Sequence, residues 1–223
     1  MPRLSSLQAR ARGALVRRKF QRGELISAEN YVPTNWATHV DLETGRPVEN
    51  QETNYRDKVV EKIKPGPLGG HNWQPMSYSP DTNLVYIPAQ ELYMPMKRDE
   101  EYEYDEKGWN TAGDLTVMAP PKNLLQLMLL ARSIRGRLSA WDPVQQKEVW
   151  NQYLTLPWNG GTLSTDGNLV FQGTSDGDLV AYDARTGEKK WSKGLKNGIV
   201  AAPITYSIDG KQSKRWRRID DDV

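Results

Sequence analysis

The residues of this sequence best suited to chemistry are its tryptophans, of which there are 8 against only 2 phenylalanines. Among those that adjoin an asparagine, the pairs Asn72-Trp73 and Trp158-Asn159 are the candidates for a binding site. Tryptophan offers a large flat face and one N–H donor, so a chain rich in it either repeats a packing motif or builds aromatic platforms. On the residues alone, the more usual explanation of Asn72-Trp73 is the start of a strand, with the tryptophan in the core and the asparagine capping a turn.

Other reactive residue types are scarce. The chain has no cysteine, which excludes disulfides, thiol catalysis, cysteine-ligated zinc and the Cys-x-x-Cys-His attachment of haem. Residues 97–107 form an acidic segment, and such clusters can bind calcium. This one lacks the alternating ligands and the turn glycine of an EF-hand, so we expect a solvated loop. We therefore assign no metal ligand and no catalytic residue.

Charge is spread unevenly along the chain. The formal net charge is +2, yet residues 1–22 hold seven arginines and lysines and no acid. Residues 211–223 carry a further +2, which leaves −7 for residues 23–210. Because the basic residues lie in short terminal segments rather than on a folded face, nucleic acid is not the expected partner.

The first 22 residues have the Arg-rich, acid-free composition of an organelle transit peptide. A disordered basic arm, or a segment unrelated to the domain that follows, is the favoured alternative. No apolar core of a secretory signal is present there. The longest apolar cluster, residues 124–131, is far shorter than the roughly 20 residues of a membrane span, so we expect none.

An internal repeat indicates the architecture. The pattern Gly-x-Leu-x-Ala-x-Asp begins at Gly136 and again at Gly177, and each copy is followed by a tryptophan, Trp150 or Trp191, with every position shifted by 41 residues. The alternation of apolar residues is typical of a strand. A turn follows in the second copy, Asp183 to Gly187, in which aspartate caps backbone donors and glycine supplies a positive φ.

The turn recurs with variations. Gln146 replaces its glycine in the first copy, which predicts a turn that is more strained or differently shaped, and residues 41–45 form a third copy without a tryptophan. Strands are also expected at 83–87, 168–172 and 200–206, each beside a turn. A period of about 40 residues built from short strands is typical of propeller blades. One helix is expected at 123–135, with Leu124, Leu127, Met128 and Ala131 facing the core.

Several stretches together resemble the PQQ-dependent alcohol dehydrogenases, whose fold is the eight-bladed quinoprotein propeller. They are residues 24–31, 66–80, 84–89, 136–143, 157–161 and 167–173. The resemblance covers about residues 23–212 and does not extend to 1–22 or 213–223. It implies an all-β fold, a partial propeller of about three to four blades of four-stranded antiparallel sheets with one short helix. It also implies that Trp150 and Trp191 are docking residues between blades.

The same resemblance implies the cofactor PQQ and the oxidation of primary alcohols to aldehydes, with an alcohol as substrate. Asn72 and Trp73 match the family's pair near the quinone, Trp158 matches a residue at the cofactor edge, and Asn159 is a weaker candidate beside it. The family also uses calcium, a catalytic aspartate and a vicinal cysteine pair, but these lie in an N-terminal half that has no counterpart here.

The expectation is therefore a C-terminal fragment that is inactive alone and prone to associate through open propeller edges. Family members act in the periplasm, and this chain shows no signal peptide. Two alternatives stay open. One is a non-catalytic propeller scaffold, like the outer-membrane-assembly lipoproteins that share the docking repeat. The other is a truncated gene product without a function of its own.

Overall fold

The computed structural model describes residues 5–9, 14–19, 24–108 and 110–215. The predictions of a transit peptide or basic arm at 1–22 and of a non-matching tail at 213–223 fall mostly on residues outside the described ones. Within the described part, the chain is built from strands joined by turns and loops, with one α-helix, α1 (Leu124–Ser133). The strands are β1 (Ser5–Ala9), β2 (Ala14–Lys19), β3 (Leu25–Asn30), β4 (Ala37–Val40), β5 (Pro47–Glu49), β6 (Val60–Ile63), β7 (Ser77–Ser79), β8 (Leu84–Glu91), β9 (Met94–Met96), β10 (Arg135–Asp142), β11 (Lys147–Leu154), β12 (Thr162–Thr165), β13 (Leu169–Gly173), β14 (Asp178–Asp183), β15 (Lys189–Gly194), β16 (Ile204–Ile208) and β17 (Lys211–Arg215).

Two antiparallel sheets of four strands carry the repeat. The first four-stranded sheet has the order β11-β10-β8-β7, and the second has the order β12-β13-β14-β15. A three-stranded sheet, β1-β2-β3, precedes them, and the remaining strands form the pairs β4-β5, β6-β9 and β16-β17. The partial all-β propeller with one short helix is confirmed as the fold class. Strand β2 pairs with β3, although the two strands lie on opposite sides of the predicted boundary at residue 22. The predicted domain boundaries stay predictions.

The 41-residue repeat places the same residues at the same register in both sheets. Ala140 lies opposite Tyr86 on one side and Trp150 on the other. In the second sheet, Ala181 lies opposite Phe171 and Trp191 in the same way, and the register shifts immediately after each alanine. A small residue between two large aromatics lets their rings lie across the sheet surface, so the sequence repeat is a repeat of packing.

The core lies on both faces of the first four-stranded sheet. On one face, Tyr86, Leu138 and Trp150 pack against Val170, Val180, Tyr182 and Ala184 of the second sheet and its turn. On the other face, Val85, Ile87, Ala89 and Trp141 pack against Tyr31 and Val32, which follow β3. Strands β8 and β10 therefore read as nearly continuous buried runs, because they are covered from both sides.

The repeated turns have the predicted chemistry. Asp183 accepts hydrogen bonds from the backbone N–H groups of Arg185 and Thr186, at 2.9 and 3.0 Å. Asp142 accepts the matching pair in its own turn, at 2.8 and 2.9 Å. Gly187 has φ +73°, and Gln146 adopts φ +54° at the corresponding position. Gln146 therefore lies in the left-handed region, which side chains rarely occupy.

The predicted orientation of the helix was wrong. Helix α1 begins after Asn123, whose side chain accepts from the backbone N–H groups of Leu125 and Gln126, but it has no buried residue. The four residues expected to face the core, Leu124, Leu127, Met128 and Ala131, are all exposed. Apolar residues surround this helix, including Leu125 and Leu129, so the 3/4 spacing did not single out one face. No helix in the described residues is both long and apolar enough to cross a membrane.

Candidate functional site

Two loops bring the predicted tryptophans together. One loop joins β6 to β7 and carries Asn72 and Trp73, and the other joins β11 to β12 and carries Trp158 and Asn159. The ring centroids of Trp73 and Trp158 are 6.5 Å apart, with an angle of 59° between the ring planes. Trp73 is 54% exposed and Trp158 is partly buried, so much of this aromatic surface is open.

The first loop leaves part of the Asn72 amide available. Asn72 is exposed, and its Nδ2 donates a hydrogen bond to the backbone oxygen of Leu68 at 3.1 Å. The same oxygen accepts from Nε2 of the buried Gln90 at 3.0 Å. Gly70 packs so closely on Val32 that an added Cβ would lie 2.4 Å from Val32 Cγ2. This fixed loop holds Asn72 beside Trp73 with one N–H and the carbonyl oxygen free to bind.

The second loop uses the Asn159 amide for its own structure. Asn159 is only 4% exposed. Its Nδ2 donates to the oxygen of Leu156 at 2.6 Å, and its Oδ1 accepts from the N–H of Ser175 at 3.0 Å. Both ends of the amide are therefore engaged by backbone groups. The role of Asn159 as a ligand stays a prediction, and the geometry supports its holding Trp158 in position.

Backbone contacts fix the two loops to each other. The N–H of Thr162 donates to the oxygen of Pro75 at 2.9 Å, and Ser77 Oγ donates to Thr162 Oγ1 at 2.9 Å. Gly161 lies directly against Pro75, where an added Cβ would come within 2.6 Å of the proline ring. The close approach requires glycine. The spacing of the tryptophans is thus set by the backbone as well as by their own contact.

Sequence reasoning missed the glutamines that support both loops. Gln90 donates to Leu68 and Gly69, and Gln172 donates to the oxygen of Gly160 at 3.0 Å. Both are buried, and the Oε1 atom of each lacks a partner among the described residues. The available signal was a glutamine closing a run of apolar strand residues, at 84–90 and at 169–172. A buried amide in that position must bond something nearby.

His71 adds no charge to this site. It is buried, and Nδ1 lies 2.9 Å from the backbone oxygen of Pro88. Because a carbonyl oxygen only accepts, Nδ1 carries the proton and donates it. Burial lowers the pKa of His71 below its ordinary value, against the smaller opposing effect of this hydrogen bond. The imidazole beside Asn72 is therefore neutral at pH 7.

The acidic segment 97–107 does not join this site. Its backbone is irregular and its acidic side chains are largely exposed, as expected for a solvated loop. Lys97 lies 3.9 Å from both Glu100 and Asp114, measured from Nζ to the nearest carboxylate oxygens. Across the described residues, no three histidine, aspartate or glutamate side chains gather in a group that could hold a metal ion.

The tryptophan pair offers two aromatic faces beside the partly free amide of Asn72. Residues 55–213 match the family model described as PQQ, glucose/ethanol/alcohol dehydrogenase, beta-propeller domain. The chain therefore belongs to the PQQ-dependent alcohol dehydrogenase family of β-propellers.

Individual relatives show the same membership. The chain is 46% identical over 199 residues to 1-butanol dehydrogenase (cytochrome c) of Thauera butanivorans, covering 85% of this chain and 27% of that protein. It is 45% identical to a quinohemoprotein alcohol dehydrogenase of Comamonas testosteroni, covering 85% of this chain and 26% of the relative. The chain thus spans about a quarter of the length of these curated relatives.

Solved structures share the fold. The quinohemoprotein alcohol dehydrogenase ADHIIG of Pseudomonas putida aligns with a TM-score of 0.87 and 38% identity, over 96% of this chain and 32% of that one. A europium-containing methanol dehydrogenase aligns with a TM-score of 0.80 and 27% identity, over 94% and 35% of the two chains. Both alignments cover more than nine-tenths of this chain, so its fold follows the family propeller.

Proposed function

We propose that this chain supplies one wall of the PQQ site of an alcohol dehydrogenase that oxidises primary alcohols to aldehydes. The observation that carries the proposal is the contact between the exposed Trp73 and the partly buried Trp158, whose ring centroids lie 6.5 Å apart beside the Asn72 amide. Family membership supports the cofactor class. The names of the relatives, which include a 1-butanol dehydrogenase, support an alcohol as substrate.

The residues present fit PQQ, which is a flat ring system with three carboxylates and a quinone. Trp73 and Trp158 offer apolar faces against which such a ring can pack, and the free N–H of Asn72 can donate to one of its oxygens. Asn159 contributes by holding the Trp158 loop, through its bonds to Leu156 and Ser175. When bound, PQQ supplies the quinone that accepts a hydride from the alcohol, while the protein binds and orients.

We further propose that the 223 residues taken alone do not turn over alcohol. The resemblance assigns the calcium ligands, the catalytic aspartate and the vicinal cysteine pair to a region without a counterpart here. The chain spans 26% and 27% of the two relatives described above, which supports this view. From the family resemblance we also propose that residues 23–212 form the propeller part. We propose on the same ground that the protein acts in the periplasm.

A binding measurement tests the site. We expect PQQ to bind the full chain in equilibrium dialysis, and we expect Trp73→Ala and Trp158→Ala each to weaken binding about tenfold, or about 1.4 kcal/mol. Tyr104→Ala is the matched control, because Tyr104 is an exposed aromatic in the acidic loop. No binding, or unchanged binding in both tryptophan variants, would show that this surface is not the PQQ site.

A second assay separates activity from binding. A dye-linked assay with PQQ, calcium and 1-butanol is expected to show no turnover by these 223 residues. Turnover would refute the proposed inactivity and leave the binding site standing. Binding without turnover is the expected combination.

A further inference from the structure

The inference concerns the second tryptophan of the repeat and goes beyond the cofactor site. Trp150, the first, is only 9% exposed because the turn of the second four-stranded sheet covers it. Its Nε1 donates to the oxygen of Ala184 at 3.0 Å, and Gln152 Nε2 donates to the oxygen of Gly187 at 2.9 Å. Gly187 lies against the ring, where an added Cβ would be 2.6 Å from Trp150 Cε3.

Trp191 occupies the equivalent position in its own sheet without this cover. It lies opposite Ala181 as Trp150 lies opposite Ala140, yet it is 47% exposed. Its strand, β15, is the edge of the second four-stranded sheet and is exposed along its whole length. The Trp191 indole N–H has no acceptor within the described residues. A large aromatic residue at an open edge is a surface ready to receive a partner.

One turn of the chain has the geometry that receives a tryptophan and holds none. Asp41 accepts from the N–H groups of Glu43 and Thr44 at 2.8 and 3.0 Å, which reproduces the bonds of Asp183. These bonds lower the pKa of both aspartates. The N–H of Gly45 donates to Asp41 O at 2.8 Å, and Gly45 has φ +68°. Above Gly45 the space is open, because an added Cβ would meet only Leu25 Cδ2, at 4.0 Å.

The remaining copy of the turn cannot take this role. In that turn, Gln146 stands at the position equivalent to Gly187. Its Cβ therefore fills the space that, over Gly187, the Trp150 ring occupies. Within the described residues, the turn Asp41–Gly45 is thus the copy with both the glycine and open space.

Charge complements the shapes. Strand β15 carries Lys189, Lys190 and Lys193, while residues 41–49 carry three acids and one arginine, for a net charge of −2. Lys193 also stands two residues after Trp191, as Gln152 stands two residues after Trp150. A lysine there can donate to the Gly45 oxygen as Gln152 donates to that of Gly187.

We propose that Trp191 of one copy of this chain docks on the turn Asp41–Gly45 of a second copy. The chain carries both complementary surfaces, so the contact is heterologous. It closes into a ring if the rotation between copies allows, and otherwise extends as a chain of copies. The occupant of the open edge is another molecule of the same protein.

Cross-linking tests this contact directly, because the chain has no native cysteine. Lys193→Cys and Arg46→Cys are made as separate variants, mixed, and treated with a short bis-maleimide. We expect a covalent dimer in the mixture and much less in either variant alone. The double variant Gln152→Cys/Glu188→Cys is the positive control. Gln152 and Glu188 are equivalent to Lys193 and Arg46, and they lie across the contact that Trp150 already makes with its turn within one chain.

Two further substitutions decide the interpretation. Gly45→Ala and Trp191→Ala, each introduced into the relevant cysteine variant, are expected to lower the dimer yield at least fivefold. Their folding is checked by circular dichroism. Unchanged yields in these folded variants would overturn the proposal. So would a monomer by sedimentation with no cross-link, or a dimer formed mainly by Lys193→Cys alone.

Discussion

At the scale of single residues, one atom decides whether a turn of this protein can receive a tryptophan. Gly187 and Gly45 have nearly the same φ, +73° and +68°, but only Gly187 lies beneath an indole ring. In the turn after β10, Gln146 adopts the same left-handed conformation although it carries a side chain. The glycine of this repeat therefore provides space for Trp150 in addition to its backbone conformation.

The two glycines make a matched pair for a stability measurement. Gly45→Ala is expected to cost about 1–2 kcal/mol, the strain of a side chain in the left-handed region. Gly187→Ala carries the same strain and in addition overpacks Trp150, which adds about 1–3 kcal/mol. Urea unfolding of dilute protein measures both. Equal losses would mean that the Trp150 ring moves aside freely.

The candidate site shows what residue types can and cannot reveal. The neighbouring positions of Trp73 and Trp158 follow from the resemblance, and the structure brings the two rings together. The engagement of the Asn159 amide could not be read from its motif, because its partners Leu156 and Ser175 are defined only by the folded loop. Gln90 was overlooked for a related reason, since a polar residue ending an apolar strand gives no indication of its acceptor.

At the scale of elements, a cluster of charges ties the strands of the first four-stranded sheet together. Arg137 is buried and lies 3.1 Å from Glu91 on β8 and 3.4 Å from Glu148 on β11. It also donates to the backbone oxygen of Tyr31, beyond the sheet. Arg135 contacts the same Glu91 from a more exposed position, with its guanidinium over the ring of Tyr153.

Removing either arginine compares a buried charge with a surface one. Arg137→Met leaves Glu148 without its cation and Glu91 with only one, and is expected to cost about 3–5 kcal/mol. Arg135→Met breaks an ion pair that water screens, and is expected to cost about 0–1 kcal/mol. Urea unfolding at pH 7 gives both values. Similar small losses would indicate that water reaches the Arg137 cluster in the native state.

Helix α1 marks a limit of pattern analysis at this scale. Its position was predicted within two residues at each end, because Asn123 supplies the cap and the apolar run supplies the helical period. Its burial was predicted wrongly, because burial depends on which distant elements pack on it. The strands of the repeat are easier to predict, because two copies of one sequence pattern are expected to form two sheets of the same kind.

At the scale of the whole molecule, the first four-stranded sheet connects the two core clusters that pack on its opposite faces. Trp150 and the Tyr86 hydroxyl both donate to the oxygen of Ala184, in the turn of the second sheet. The opposite face holds Tyr31 and Val32. Sequence periodicity predicted propeller blades but not their stacking, because the contacts between sheets are side-chain contacts across distant segments. Strand β16, which is exposed along its length, lies outside both core clusters.

This arrangement predicts which parts unfold together. Because Trp150 belongs to both stacked sheets, Trp150→Ala should cost about 3–5 kcal/mol and lower the exchange protection of β8, β10, β13 and β14 by the same amount. Native-state hydrogen exchange measures this residue by residue. Amides of β16 should exchange quickly in the unsubstituted protein and in the Trp150→Ala variant alike, so they serve as the internal reference. If protection fell in β8 and β10 alone, each sheet would be a separate folding unit, and the shared face between them would not govern stability.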